Sequence, residues 1–164
     1  MNIIFEKMDM RHATGVMKIF NHYADKSTAA FPQKAIPEHF FVSFLKRSEG
    51  YPALALVDQD NSNVVGFTQL SAYNLLSTFK KSACFTCFIA PEYTGKGLGS
   101  LALEKIEESA KVIGLETLIS DISSDNSGSI RFHEKHGFTR AGELKGIGEK
   151  FGRKFSITLM QKVL

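Results

Sequence analysis

The hydrophobic positions change period several times along the chain, and each change marks an element. Residues 2–8 (NIIFEKM) have the β-branched and aromatic content of a strand. Asp9 stands where a helix N-cap belongs, and Met10, Ala13, Val16, Met17, Phe20 and Tyr23 follow on one helical face. After the loop through STAAF, Pro37 is placed to open a second helix with Phe40, Phe41, Phe44 and Leu45 as its apolar stripe. ALALV at 53–57 and VVGFTQL at 64–70 flank the turn residues DQDNSN, which predicts a hairpin. ACFTCFIA at 83–90 is the next strand. From Gly97 to Ile113 the pattern is helical, with Leu98, Leu101, Ala102, Ile106 and Ala110 inward and Gly114 as the stop. A strand at 115–122, a short helix at 127–136 stopped by Gly137, and strands at 138–144 and 155–163 complete the series. The order β-α-α-β-β-β-α-β-α-β-β predicts an α/β (α+β) domain over residues 1–164, with a mixed sheet of about six to seven strands and helices on both faces.

The composition of this 164-residue chain is ordinary for a globular domain, with 43% hydrophobic and 23% charged residues. Lysine and arginine outnumber aspartate and glutamate by 20 to 17. That small, dispersed excess argues against nucleic acid or a membrane surface as partner and suits a small polyanionic ligand. No apolar run approaches the roughly 20 residues of a membrane helix. Glu6, Lys7 and Asp9 interrupt the N-terminus where a signal peptide is unbroken. The expected location is cytoplasmic.

Cys84 and Cys87 have the C-x-x-C spacing. Zinc needs two more ligands at matching spacing, and a redox pair opens a helix. Here the flanks read as a buried strand, on which residues three apart point to opposite faces. Structural or site-lining cysteines are therefore expected. His133 and His136, three apart on a helix, lack a third ligand, so no metal is expected.

The segment APEYTGKGLGS, residues 90–100, carries the most chemistry. A strand ends at Pro91, and Gly95, Gly97 and Gly99 lead into an amphipathic helix. Glycines let a backbone approach a ligand closely, and the free N–H groups of a helix start bind phosphate. The spacing is neither the dinucleotide fingerprint nor a Walker loop.

This junction resembles the Arg/Gln-x-x-Gly-x-Gly/Ala motif of the GNAT N-acetyltransferases, with Thr94, Gly97 and Gly99 at the matching positions. The resemblance implies the GNAT fold and acetyl-CoA as co-substrate. It implies that Thr94, Gly95, Lys96, Gly97, Leu98, Gly99 and Ser100 wrap the pyrophosphate, and that the strand edge at Cys87, Phe88 and Ile89 meets the acyl carbonyl and pantetheine. Thr94 departs from the long arm usual there. DNSGSIRFHEKHGF at 125–138 is similar to a second run of the superfamily, which implies pantetheine contacts for Asn126 and Ser129 and a place near the CoA sulfur for His133. As a helix start, Asn126 is equally suited to capping.

FNHYADKSTAAF at 20–31, FHEKHGF and EKFGRKFSITLMQKVL at 149–164 are similar to the phosphinothricin acetyltransferase-like subgroup. That subgroup acetylates small amino acids or analogues such as phosphinothricin and methionine sulfoximine and commonly dimerises. The resemblance thus implies an enzyme, a small amine-bearing acceptor and a homodimer. Its fourth-strand glutamate base is Cys84 here. In place of an arginine before that strand, NLLSTFKK offers Leu75, Leu76, Lys80 and Lys81. Phe31, Tyr73, Phe79 and Cys84 are the candidate acceptor contacts. The expected chemistry is direct attack of the amine on the thioester, with His133 protonating the departing thiolate. A covalent route through Cys84, a non-catalytic acyl-CoA-sensing domain, and an enzyme acting on a peptide N-terminus or polyamine remain as other readings.

Overall fold

Seven strands form one mixed sheet in the order β1-β2-β3-β4-β5-β7-β6 in a computed structural model describing residues 1–164. The strands are β1 (Ile3–Lys7), β2 (Ala53–Asp58), β3 (Asn63–Ala72), β4 (Ser82–Ile89), β5 (Thr117–Ser123), β6 (Thr139–Lys150) and β7 (Arg153–Val163). The helices are α1 (Ala13–Lys26), α2 (Phe41–Arg47), α3 (Leu98–Val112) and α4 (Ser127–Lys135). All neighbours pair antiparallel except β4 and β5. The expected element order and fold class stand.

Burial on the two faces explains why the elements close. Against α3 and α4 the sheet buries Leu70, Phe85, Leu118 and Met160 with Leu103, Ile106 and Ile130. Against α1 and α2 it buries Phe67 with Val16, Met17, Phe41 and Phe44. Each such side chain contributes about 1.5–3 kcal/mol of transfer free energy. Asp9 starts the first helical stretch through a reciprocal box: its carboxylate accepts from the Arg11 N–H at 2.9 Å, and the His12 Nδ1 accepts from the Asp9 N–H at 3.1 Å.

Three helix-face expectations are corrected. Met10 and Phe40 are about half exposed, because each sits in a 3₁₀ turn ahead of its α-helix, and the tighter winding rotates it off the buried stripe. Leu101 is also exposed, while Leu103 is buried. The stripe of α3 runs through Leu98, Ala102, Leu103, Ile106 and Ala110, and Leu101 falls beside it. The last hairpin is longer than its hydrophobic pattern suggests. It turns at Phe151 and Gly152, both at positive φ, and most of β6 is solvent-exposed, which removes the apolar alternation that would betray a strand. β5 begins at Thr117, two residues later than expected.

One departure from regular pairing shapes the rest of the molecule. β4 and β5 pair only at Ser82↔Thr117, Ala83↔Leu118 and Cys84↔Ile119. Beyond Cys84 the strands part, β4 remaining with β3 and β5 with β7. Residues 85–89 thereby keep an unpaired backbone edge. No helix is long and apolar enough to cross a membrane.

Candidate active site

The parting of β4 and β5 opens a cleft of about 900 Å³. Its walls come from five places. The free edge of β4 supplies Phe85 to Ile89, and β5 supplies Ser120, Asp121 and Ile122. The start of α3, one side of α4, and the end of α1 with α2 and its preceding loop close the remainder.

At one end lies the helix start that the glycine pattern predicts. Gly97 caps α3 in the left-handed region at φ 82°, and no side chain caps the helix. The first intrahelical bond runs from the Leu101 N–H to the Gly97 carbonyl at 3.2 Å, so the N–H groups of Leu98, Gly99 and Ser100 have no partner inside the helix. Thr94, Gly95, Gly97, Leu98, Gly99 and Ser100 all line the cleft. Unpartnered N–H groups and the positive end of the helix dipole suit a pyrophosphate. The Thr94 hydroxyl turns back to donate to the Pro91 carbonyl at 2.8 Å. Lys96 stands outside the lining, its ammonium 5.0 Å from the Tyr93 ring centre.

The middle of the cleft follows β4. Cys87, Phe88 and Ile89 line it. The Tyr23 hydroxyl donates to the Ile89 carbonyl at 2.6 Å, and burial raises its pKa above the ordinary phenol range. Tyr23 thus fastens α1 to the end of the strand edge. Across the cleft, Asn126 caps α4, its Oδ1 accepting from the Ser129 N–H at 3.2 Å, while its amide N–H groups remain available to a ligand. Phe132 approaches the backbone of Gly99: a Cβ on that glycine would lie 3.3 Å from the ring. A side chain at Gly99 would make the Phe132 ring give by a few tenths of an ångström.

His133 lines the cleft but is 6% exposed, and both ring nitrogens are engaged. Nδ1 lies 2.7 Å from the Ser129 carbonyl, which only accepts, so Nδ1 carries the proton. Nε2 lies 3.1 Å from the Ser120 hydroxyl, and in the neutral ring it accepts. Burial lowers the pKa of His133, which the Ser129 contact partly opposes. A neutral ring with its one proton given to a carbonyl is poorly placed to protonate a thiolate.

The far end carries the acceptor-side residues. Phe31 lines the cleft, stacked on Phe155 at 6.2 Å. Tyr73 and Phe79 do not: they pack on each other at 5.7 Å, exposed and outside the lining. Cys84 is half-buried at the point where the strands part, and it too stands outside the lining, which begins at Phe85. Its thiol is pushed up chiefly by burial, and the Cys87 thiol is pushed up to about 12 for the same reason. Sequence reasoning passed over Tyr23, Arg47, Thr86, Ser120 and Asp121, which also line the cleft.

Residues 16–138, from within α1 to the residue before β6, match the acetyltransferase (GNAT) family. The L-methionine sulfoximine/L-methionine sulfone acetyltransferase of Salmonella typhimurium is 26% identical over 93% of this chain and 90% of its own. The phosphinothricin N-acetyltransferase of Streptomyces coelicolor is 26% identical over 89% of this chain and 87% of its own. A Salmonella typhimurium acetyltransferase solved with acetyl-CoA superposes with a TM-score of 0.91 at 25% identity, covering 100% of this chain and 95% of that one. With a family match across both sides of the cleft and the same fold in these relatives, the chain belongs to the acetyltransferase (GNAT) family.

Proposed function

We propose that this enzyme moves an acetyl group from acetyl-CoA to the α-amine of a small amino acid or analogue of the phosphinothricin and methionine sulfoximine type. The single observation that carries the reading is the parted β4–β5 cleft, with the uncapped N–H groups of the α3 start at one end and a chamber lined by Phe31, Phe44, Arg47 and Asp121 at the other. The curated relatives named above act on amino-acid analogues, and the chain spans most of their length.

In this reading, Gly95 to Ser100 hold the pyrophosphate through backbone N–H groups. The Asn126 amide and the edge at Cys87–Ile89 hold the pantetheine arm and polarise the acyl carbonyl. The cleft holds amine and thioester together, so the nitrogen bonds the acyl carbon as the carbon–sulfur bond breaks. His133 is a positioning residue, anchoring Ser120 on β5 to α4. Phe31 is an apolar wall for the acceptor, and Cys84, at the root of the cleft and outside its lining, is a neutral residue and not an acyl carrier. The protein is cytoplasmic in this reading and works as a homodimer. Leu75 (95% exposed), Leu76, Ile147 and Phe151 offer apolar surface for a second copy.

Thioester turnover with acetyl-CoA over a panel of amines tests the function. Preference for amino acids such as L-methionine sulfoximine is expected. Binding of acetyl-CoA with no turnover of any amine identifies a sensing domain instead, and preference for a peptide or polyamine moves the acceptor class.

A further inference from the structure

Two charged residues face the acceptor end of the cleft from different elements, and neither has a partner in the protein. Asp121 lies two residues beyond Ile119, which pairs with Cys84, so its side chain shares the face of Cys84. The neighbouring contacts agree: Ser120 reaches His133 on the α4 side, while Ser123 meets Thr28, in the loop after α1, at 2.7 Å on the other. Arg47 ends α2 on that second side, three residues after Phe44. Arg47, Phe44 and Asp121 line the cleft together. Beside the larger effect of burial, both charges reach the Cys84 thiol, Asp121 raising its pKa and Arg47 lowering it.

The bland alternative is that these are ordinary surface charges at a wet opening. Some exposed charges of this molecule pair with one another, as Lys81 does with Glu116 and Arg153 with Asp125, while others such as Lys46 and Lys111 stand alone, so it is shared placement that distinguishes Arg47 and Asp121. Arg47 and Asp121 make no ion pair, although both face one chamber. The same sheet face holds a further unmet group. Gln69, cross-strand from Thr86 and 4% exposed, has a buried Oε1 with no hydrogen-bond partner. Gln69 lies behind the cleft lining, so a buried water answers its orphan acceptor as well as a ligand would.

Resting on the amino-acid reading above, we propose that Asp121 and Arg47 bind the two ends of a zwitterionic acceptor, with Arg47 taking its carboxylate and Asp121 its ammonium and then the ammonium's proton. A guanidinium matches a carboxylate through paired N–H donors. Asp121 thereby does from β5 what a carboxylate at the Cys84 position would do from β4. The step balances. One ammonium proton passes to the Asp121 carboxylate as the nitrogen forms its bond to the acyl carbon. The carbon–sulfur bond breaks with its electron pair on sulfur. The nitrogen's second proton neutralises the thiolate, and Asp121 returns its proton to water. The ionisable groups facing Asp121 are the Cys84 thiol on β4 and Arg47 on α2. β7 presents Ile157, Leu159 and Gln161 on that face, and the loop after α1 presents Thr28.

The experiment compares the parent with Asp121→Asn, Arg47→Gln and Arg47→Lys, using L-methionine sulfoximine and its α-carboxamide as acceptors. Acetyl-CoA binding, read by thermal shift, is expected to be unchanged in all three. Asp121→Asn should lower kcat/KM at pH 7 by tenfold or more. Its profile should then climb with pH toward the acceptor's own pKa, about 7.7–8.0 for the peptide-like α-amine of the carboxamide and higher for the free acid, where the parent is flatter. Arg47→Gln should raise KM for the free acid tenfold and leave the carboxamide unchanged, with Arg47→Lys recovering part of the loss. Parent-like rates, profiles and acid-to-amide ratios in the variants overturn the proposal while leaving the amino-acid reading intact. A parent that turns over amines but no amino acid overturns both.

Discussion

The Ser120 hydroxyl and the His133 Nε2 lie 3.1 Å apart, joining β5 to α4 across the floor of the cleft. The bond requires a neutral ring accepting at Nε2. Burial lowers the His133 pKa in the folded protein below the unfolded value of about 6.5. The unfolded chain therefore holds the proton more tightly. The stability that His133 contributes is present above about pH 6.5 and is lost as the pH falls through the lower folded value. Melting temperature should drop between pH 7 and pH 5 more steeply in the parent than in His133→Gln. At pH 7.5 that variant should keep turnover within tenfold of the parent. A hundredfold loss of kcat without a change in melting temperature would restore the acid role.

Lys150 offers a test of how the acceptor wall is held. It is 2% exposed, and its ammonium donates to the carbonyls of Ala24, Ser27 and Ala30 at 2.5, 2.7 and 2.9 Å. These carbonyls belong to the end of α1 and the loop leading to Phe31, so the C-terminal hairpin clamps one wall of the cleft. Burial lowers the Lys150 pKa, and Asp25 opposes the shift. Lys150→Met keeps the aliphatic stem and strands three carbonyls. It should cost about 3 kcal/mol in urea unfolding, from roughly 1–3 kcal/mol per unsatisfied buried group with partial rehydration. KM for the acceptor should rise more than Kd for acetyl-CoA.

The glycine junction, the capped α4 and the alternating element order were legible in the sequence because each rests on local rules. Arg47 and Asp121 were not, because neither belongs to a motif and their meeting depends on the parting of β4 and β5. A faint signal existed. Arg47 continues the helical spacing from Phe41 and Phe44, and Asp121 interrupts the strand LISDI, so both are charges on otherwise apolar patterns. Tyr73 and Phe79 misled for the opposite reason: aromatic side chains near a strand end suggest a pocket wall, but here they cover each other. The exposed β6 strand lacked any alternation to read.

Gly97 can be separated from steric arguments. Nothing lies within 4 Å of a Cβ built on it, so only its φ of 82° demands glycine. Saturation at 100 times Kd of acetyl-CoA should stabilise the parent by about 2.7 kcal/mol. Gly97→Val should remove most of that shift, because a β-branched residue abandons the left-handed conformation and re-aims the N–H groups of α3. An undiminished shift would mean that the cradle is not where acetyl-CoA binds.

The cysteines test direct transfer against a covalent route and, together with Asp121, the placement of the base. Burial raises both thiols, Cys87 to about 12, so little thiolate exists at neutral pH. Cys84→Ser should therefore keep at least about half of the parent's turnover, since a neutral residue outside the cleft lining loses little with its sulfur. No acetylated cysteine should appear by mass spectrometry after incubation with acetyl-CoA. Cys84→Glu places a second carboxylate on the face that Asp121 occupies. In the parent background the two like charges raise the pKa of one of them, so the gain near pH 7 should be small. In the Asp121→Asn background that repulsion is gone, and Cys84→Glu should recover much of the lost kcat/KM. Equal effects of Cys84→Glu in both backgrounds would show that the two positions act independently, and that Asp121 does not serve the amine.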